Sequence, residues 1–239
     1  MTADVTGPAN QMPTEWIDWW ERGEEHLATA LGRLVQEDWA RPSLLPGWTR
    51  AHVLAHLARN ADGMVNLLTW ARTGVETPMY ASPEARDREI EQTARLSPQE
   101  LEADVLGATA RLAQAVRGMP PSAWAATVRT LRGRELAGAD VVRMRAQEVW
   151  VHAVDLDSGV EFAEIPEGLL AYLVDEVFGT WRSRDQVPDV VVFAGDREWG
   201  TGRLAVAGSL PDAAAWLTGR SDGTGLRADG LLPQLPPWL

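Results

Sequence analysis

The chain has 239 residues, 45% hydrophobic and 23% charged, a composition typical of a globular protein of one large or two modest domains. It has no cysteine, which excludes disulfides, thiolate metal sites and a cysteine nucleophile. Its 22 basic residues are all arginine, which excludes mechanisms that use lysine as a Schiff base or a general base. The net charge of −12 argues against nucleic-acid or anionic-membrane partners, and no apolar run reaches the ~18 residues of a membrane span. We therefore expect a cytoplasmic protein.

Amphipathic patterns predict four long helices in the first two thirds of the chain, after a leader of about twelve residues, 1–12, that we expect to be disordered. N-cap residues, capping boxes and glycine stops give approximate bounds. The predicted helices are Pro13 to about Val35, Arg50 to about Arg72, Pro98 to about Arg117, and Leu136 to Asp157. Four such helices with two longer connections are typical of a four-helix bundle.

The linker before the third long helix contains a second helix start at Ser82 and an apolar tip at residues 78–80. This tip is either a packed lid or a loop tucked over the core. Beyond Asp157 the pattern changes, with a hinge at Ser158 and Gly159 followed by helical stretches and two predicted strands, 189–193 and 204–207. We predict a bundle domain at 1–157 and a small α+β domain at 158–239.

Glu148 and His152 are the first candidate site residues. Their four-residue spacing places both on one face of a helix, about one turn apart. An ordinary surface ion pair would have the same spacing. The apolar neighbours instead indicate a buried helix, in which a glutamate and a histidine need each other or a metal. Asp155, three residues after His152, is placed to accept a hydrogen bond from its ring.

A third ligand would come from the second predicted helix, where His52 and His56 are again four residues apart. Spacing alone does not distinguish these two histidines. The fourth histidine of the chain, His26, is expected on the surface. Two imidazoles and one carboxylate with an open position are typical of a catalytic metal site.

Several segments carry a family resemblance. The stretches LLPGWTRAHVLAHLARNADG, TGVETPMYASPEAR, MRAQEVWVHAVDLD and AGSLPDAAAWLTGR, with the terminal PPWL, resemble the mycothiol-dependent maleylpyruvate isomerases of the DinB-like superfamily. The resemblance implies a mainly α fold, a DinB-like four-helix bundle followed by a small α+β domain. It also implies a divalent metal, most commonly zinc, held by His56, Glu148 and His152.

The implied reaction converts maleylpyruvate to fumarylpyruvate in gentisate-type aromatic degradation. A thiolate adds to the cis double bond, the new single bond rotates, and elimination follows. A chain without cysteine cannot supply that thiol itself, and in the family mycothiol supplies it. Because the substrate is a dianion, arginine is expected nearby. Arg220 matches an arginine that the family uses at its active site, and Arg145 on the ligand helix is a second candidate. Asn60, one turn from His56, could contact the substrate.

Two other functions fit the same residues. A metal-dependent mycothiol S-transferase acting on another electrophile would have the same ligand triad. A binding or regulatory module that keeps the bundle is a second alternative, although an intact triad disfavours it. Fold resemblance alone does not separate these functions, because one scaffold hosts many of them.

Overall fold

The computed structural model describes residues 13–35 and 38–238, and the predicted leader at 1–12 lies outside them. Contacts divide the chain into two compact units, Met1–Gly159 and Val160–Leu239. The described residues confirm the predicted fold class, a mainly α bundle followed by a small α+β domain. None of the described helices is both long enough and apolar enough to cross a membrane.

The first unit is built from five helices and one hairpin within its described residues. They are α1 (Thr14–Gly32), α2 (Arg50–Thr73), α3 (Pro83–Thr93), α4 (Pro98–Arg117), β1 (Thr127–Arg129), β2 (Glu135–Ala137) and α5 (Gly138–Asp155). Helix α2 packs on both α4 and α5, and α1 packs on α5, which makes α1, α2, α4 and α5 the bundle. Short α3 lies against α2.

Helix starts and stops follow the capping chemistry of the sequence. Thr49 caps α2 by accepting from the backbone N–H of His52, and Gly74 ends α2 in the left-handed conformation with φ of 72°. Ser82 and Ser97 cap α3 and α4 in the same way. The starts of α2, α3 and α4 and the end of α2 agree with the prediction, because each cap involves residues only a few positions apart in the sequence.

The start of α5 differs from the prediction. Leu136 belongs to β2, which pairs with β1 in an antiparallel hairpin, and the helix begins at Gly138. The hairpin turn places Gly133 at a φ of 80°, a conformation that glycine adopts without strain. Each three-residue strand buries one apolar residue, Val128 or Leu136, which is too short a pattern to reveal a strand.

Helix α5 is the central element of the first unit. None of its residues is exposed, as the apolar pattern predicted. Gly23 lets α1 approach α5 closely, since a Cβ at this position would lie 2.5 Å from Val149 Cγ2. Trp150 donates from its indole N–H to the Trp19 carbonyl at 2.8 Å. His26 stacks on Trp150 with ring centroids 4.6 Å apart and is half-buried, not on the surface as predicted.

The second unit combines two helices with a mixed sheet. Its elements are α6 (Glu167–Ser183), β3 (Val190–Ala194), β4 (Arg197–Gly200), β5 (Leu204–Gly208), α7 (Leu210–Leu217) and β6 (Arg227–Ala228). The strand order is β4-β3-β5-β6, with β3 and β5 parallel and both edge strands antiparallel. Gly202 carries the chain against the backbone of Val190, where any Cβ would clash. The prediction found β3 and β5 but not the short edge strands.

Candidate metal centre

Helix α2 presents His56 toward α5. The histidine lies two turns after the N-cap and is 6% exposed, so its ring is held inside the bundle. Its Nε2 lies 2.9 Å from Oε2 of Glu148 on α5. The Trp48 ring covers the His56 ring, with centroids 5.7 Å apart.

Helix α5 supplies the other two side chains from successive turns. Glu148 Oε2 lies 3.2 Å from His152 Nε2, as the four-residue spacing predicted. The rings of His56 and His152 meet edge to face with centroids 4.8 Å apart. One ligand atom from each of the three residues lies within 4.8 Å of the others. Two imidazole nitrogens and a carboxylate oxygen at this spacing fit a small divalent cation such as zinc.

Arg50 joins the start of α2 to the residues that follow α5. Its buried guanidinium donates from Nε to the Leu156 carbonyl at 2.6 Å and from Nη2 to the Asp157 carbonyl at 2.7 Å. These carbonyls follow the end of α5, so an arginine from α2 caps the ligand helix. Arg50 lies on the same helix as His56, six residues before it, so this cap joins the two ligand helices near the triad. Sequence reasoning missed Arg50, since its acceptors are more than a hundred residues away.

The Nδ1 atoms of His56 and His152, which face away from Glu148, have different partners. His152 Nδ1 donates to Asp155 Oδ2 at 2.8 Å, and Asp155 is fully buried, as predicted for an outer-shell acceptor. His56 Nδ1 instead lies 3.3 Å from Nη2 of Arg86 on α3. A guanidinium can only donate, so His56 Nδ1 accepts in this arrangement and its Nε2–H points to Glu148.

Burial and pairing shift the pKa of each member of the triad. Burial lowers the pKa of His56 despite its hydrogen bond to Glu148. Burial also acts to lower the pKa of His152, but the hydrogen bonds to Asp155 and Glu148 outweigh it and raise that pKa. Burial acts to raise the pKa of Glu148, yet the hydrogen bonds from His152 and His56 hold it well below its ordinary range. The triad therefore combines an ionised carboxylate with two histidines whose pKa values are shifted in opposite directions.

His52 does not join the triad. Its Nδ1 contacts the Thr49 hydroxyl at 2.7 Å, and its Nε2 lies 3.0 Å from Glu91 of α3. Within residues 13–35 and 38–238, the group of histidine and acidic side chains that could hold a metal is His56, Glu148 and His152. Geometry therefore separates the two histidines that spacing left equivalent.

The chain is similar in sequence and in structure to proteins of one known family. A family model described as the mycothiol maleylpyruvate isomerase N-terminal domain matches residues 20–157. The chain belongs to the mycothiol-dependent maleylpyruvate isomerase family. A crystal structure of the mycothiol-dependent maleylpyruvate isomerase superposes with a TM-score of 0.92 at 34% identity, covering 98% of this chain and 100% of that one. A crystal structure of a histidine-to-alanine mutant of the isomerase gives the same TM-score, identity and coverage. The search of curated proteins returned no significant match.

Asn60 and Arg145, the other site residues predicted in the bundle, contact each other. Asn60 is buried, and its Oδ1 accepts from Arg145 Nη1 at 3.1 Å. Arg145 also donates to the Leu57 carbonyl at 2.7 Å and from Nε to Glu24 at 2.8 Å. The neighbouring Arg143 bonds to Asp140 instead.

Arg220 lies in the second unit, just after α7. Gly219 before it has a φ of 77°, which turns the chain out of the helix. The Arg220 guanidinium donates from Nη1 to the Thr218 carbonyl at 2.9 Å and lies over the Trp238 ring, 5.9 Å from its centroid. The side chain is half-buried.

Proposed function

We propose that this protein is a mycothiol-dependent cis-trans isomerase that converts maleylpyruvate to fumarylpyruvate. The observation that carries the proposal is the triad of buried His56 and His152 with half-buried Glu148 in a member of this isomerase family. The absence of cysteine supports it, because thiol addition to a double bond then needs a small-molecule thiol. We assign the activity to the cytoplasm, where such thiols are kept reduced.

The triad would hold a divalent metal, for which we propose zinc. Its three donors leave a position open, and the Glu148 side chain is 25% exposed, so the centre can be reached from solvent. When bound there, the metal would lower the pKa of the mycothiol thiol, which would then add to the cis double bond and later be eliminated. Asp155 holds the His152 ring so that Nε2 faces the centre.

Substrate recognition requires cations, because a dianion must approach a protein of net charge −12. We assign a substrate carboxylate to Arg220, whose planar guanidinium can bind it with two parallel hydrogen bonds. Asn60 contributes to the substrate site through Arg145, which it holds by its side-chain oxygen. Arg220 contacts the reacting molecule in this proposal, whereas Asn60 positions a neighbour.

The test is an assay of the purified, zinc-loaded protein with maleylpyruvate, with and without mycothiol. We expect fumarylpyruvate only when mycothiol is present. Undiminished isomerisation in thiol-free buffer would contradict the mechanism. The same protein is then given mycothiol and monobromobimane, which is the electrophile of an S-transferase assay. Efficient conjugation without maleylpyruvate turnover would assign the metal-dependent mycothiol S-transferase function instead.

A further inference from the structure

Several buried side-chain polar atoms in the described part of the first unit have no hydrogen-bond partner, and two of them are donors whose side chains lie near Glu148. These two are the Tyr80 hydroxyl and Nη2 of Arg145, and both atoms are inaccessible to solvent. Tyr80 is 8% exposed and Arg145 is 1% exposed. A buried donor without a partner costs about 1–3 kcal/mol, so native proteins rarely keep one without a function. Neither atom is used by the metal triad.

Packing against α2 holds Tyr80 in place. Met79 lies against Gly63, where a Cβ would come within 2.7 Å of Met79 Cγ. The Asn66 side chain donates to the Pro78 carbonyl at 3.3 Å, and Ser82 caps α3 immediately afterwards. The apolar tip of the linker is therefore tucked over the core, which was one of its two predicted interpretations. Tyr80 is the member of this loop that carries a buried polar atom.

Contacts along the ligand helices place Tyr80 and Arg145 near the triad. Met79, next to Tyr80, packs on Gly63 of α2, and Arg145, three residues before Glu148 on α5, bonds to Asn60, four residues after His56. Burial raises the pKa of Tyr80 well above its ordinary value, and the Glu148 charge raises it further. The positive charges of Arg86 and Arg145 act in the opposite direction. Arg86 approaches the hydroxyl without a hydrogen bond of acceptable geometry. One neutral hydroxyl and two guanidinium groups therefore lie within electrostatic range of the carboxylate ligand.

Arg86 has a contact that metal binding would disrupt. Its Nη1 bonds to Asp87 at 2.9 Å, while its Nη2 donates to His56 Nδ1 at 3.3 Å. A neutral imidazole that binds a cation through Nε2 carries its proton on Nδ1. His56 Nδ1 can then no longer accept from Arg86. A loaded centre would therefore leave Arg86 Nη2 without its His56 acceptor, and the Arg86 side chain is 26% exposed.

We propose that Tyr80, Arg86 and Arg145 form a carboxylate-binding subsite beside the metal centre, which takes one carboxylate of a small cis-dicarboxylate. The subsite offers only hydrogen-bond donors to the ligand: one hydroxyl and two guanidinium groups. Carboxylate oxygens accept several such bonds, and burial strengthens them. The identity of the substrate rests on the proposed function, whereas anion binding itself does not. A dianion has two carboxylates, so this subsite and Arg220 are not competing assignments.

The test measures the binding of maleate to the zinc-loaded protein by isothermal titration calorimetry, in buffer without thiol. Tyr80→Phe removes only the hydroxyl, and Arg86→Gln removes the charge. The matched controls are Tyr172→Phe, at the other tyrosine of the chain, and Arg88→Gln, an exposed arginine on the same helix with the same change in net charge. Arg145 is not varied, because its replacement would also break its bonds to Glu24 and Leu57.

We expect Arg86→Gln to weaken maleate binding about 10- to 100-fold and Tyr80→Phe about tenfold, with the controls within about twofold of the parent. Zinc content is measured for every variant. If Arg86→Gln loses zinc, the test depends on Tyr80→Phe, because the phenylalanine ring occupies the same volume as the tyrosine ring and only the hydroxyl is removed. Unchanged affinity in Tyr80→Phe, or no maleate binding by the parent, would overturn the subsite. A parent that binds maleate through these residues without isomerase activity would contradict the proposed function and leave the subsite intact.

Discussion

Asp155 lies one turn beyond His152 on α5 and accepts the Nδ1–H of its ring at 2.8 Å. This hydrogen bond fixes the tautomer of His152 and leaves Nε2 as its ligand atom. The carboxylate is fully buried, so its charge acts on the imidazole with little screening. The Asp155 and His152 pair therefore prepares the ligand before any metal arrives.

We predict that Asp155→Asn weakens zinc binding about 10- to 100-fold, because the amide supports the ring less strongly than a carboxylate. Competition with a fluorescent chelator measures the affinity. The control is Asp157→Asn, two residues later, where the side chain is 60% exposed and asparagine tolerates the φ of 52°. Equal zinc affinity in Asp155→Asn and the parent would show that Asp155 does not support the ligand.

His56→Ala and His52→Ala are predicted to differ sharply in metal content. His56→Ala removes a triad nitrogen and should leave the purified protein with little zinc. His52→Ala removes the partner of Thr49 and Glu91 at the start of α2 and should keep about one zinc per chain, with a loss of unfolding free energy of about 1 kcal/mol. Elemental analysis gives the zinc content. The reverse pattern would make His52 the ligand.

Zinc affinity is predicted to fall as the pH decreases from about 8 to about 6. The raised pKa of His152 means that a proton competes with the metal at a higher pH than for an ordinary histidine. His56 has a lowered pKa and is already neutral over this range, so one proton is displaced and the affinity changes up to about tenfold per pH unit. Titrations at several pH values measure this slope. The dependence should move to lower pH in Asp155→Asn, and a flat profile in the parent would contradict the prediction.

Arg50→Lys is predicted to destabilise the bundle. An ammonium group cannot reproduce the two bonds that the guanidinium makes to the carbonyls of Leu156 and Asp157. The loss should be about 1.5–3 kcal/mol of unfolding free energy, measured by urea unfolding of the metal-free protein. Arg41→Lys is the matched control, because that side chain is 68% exposed and pairs with Asp38 at the surface. Equal unfolding midpoints would show that Arg50 does not hold α2 against α5.

Arg220→Ala is predicted to keep the zinc and the fold but to lose about 10- to 100-fold in turnover efficiency with maleylpyruvate, the cost of one charge-assisted contact. The control is Arg197→Ala, an exposed arginine of the same unit with the same change in charge. Steady-state kinetics with mycothiol measures the effect, and circular dichroism and elemental analysis check the fold and the metal. Turnover within about twofold of the parent would assign the substrate cation to the bundle alone.

The sequence by itself determined the features that depend on neighbours along the chain. The caps Thr49, Ser82 and Ser97, the stop at Gly74, and the alignment of Glu148 with His152 all follow from helix geometry within a few residues. Local chemistry therefore predicted the helices and two of the three triad residues. Family resemblance added His56, which spacing could not separate from His52.

Only the tertiary structure decided which groups meet across the bundle. His52 contacts the N-cap residue of its own helix, whereas His56 contacts Glu148 across the packing of α2 on α5, which Arg50 joins at one end. The placement of Tyr80 and Arg86 beside the triad likewise depends on how a linker packs on α2. Such contacts join residues tens of positions apart in the sequence. The spacing of residues along one helix does not predict them, because the distance between the side chains depends on how whole helices and loops pack together.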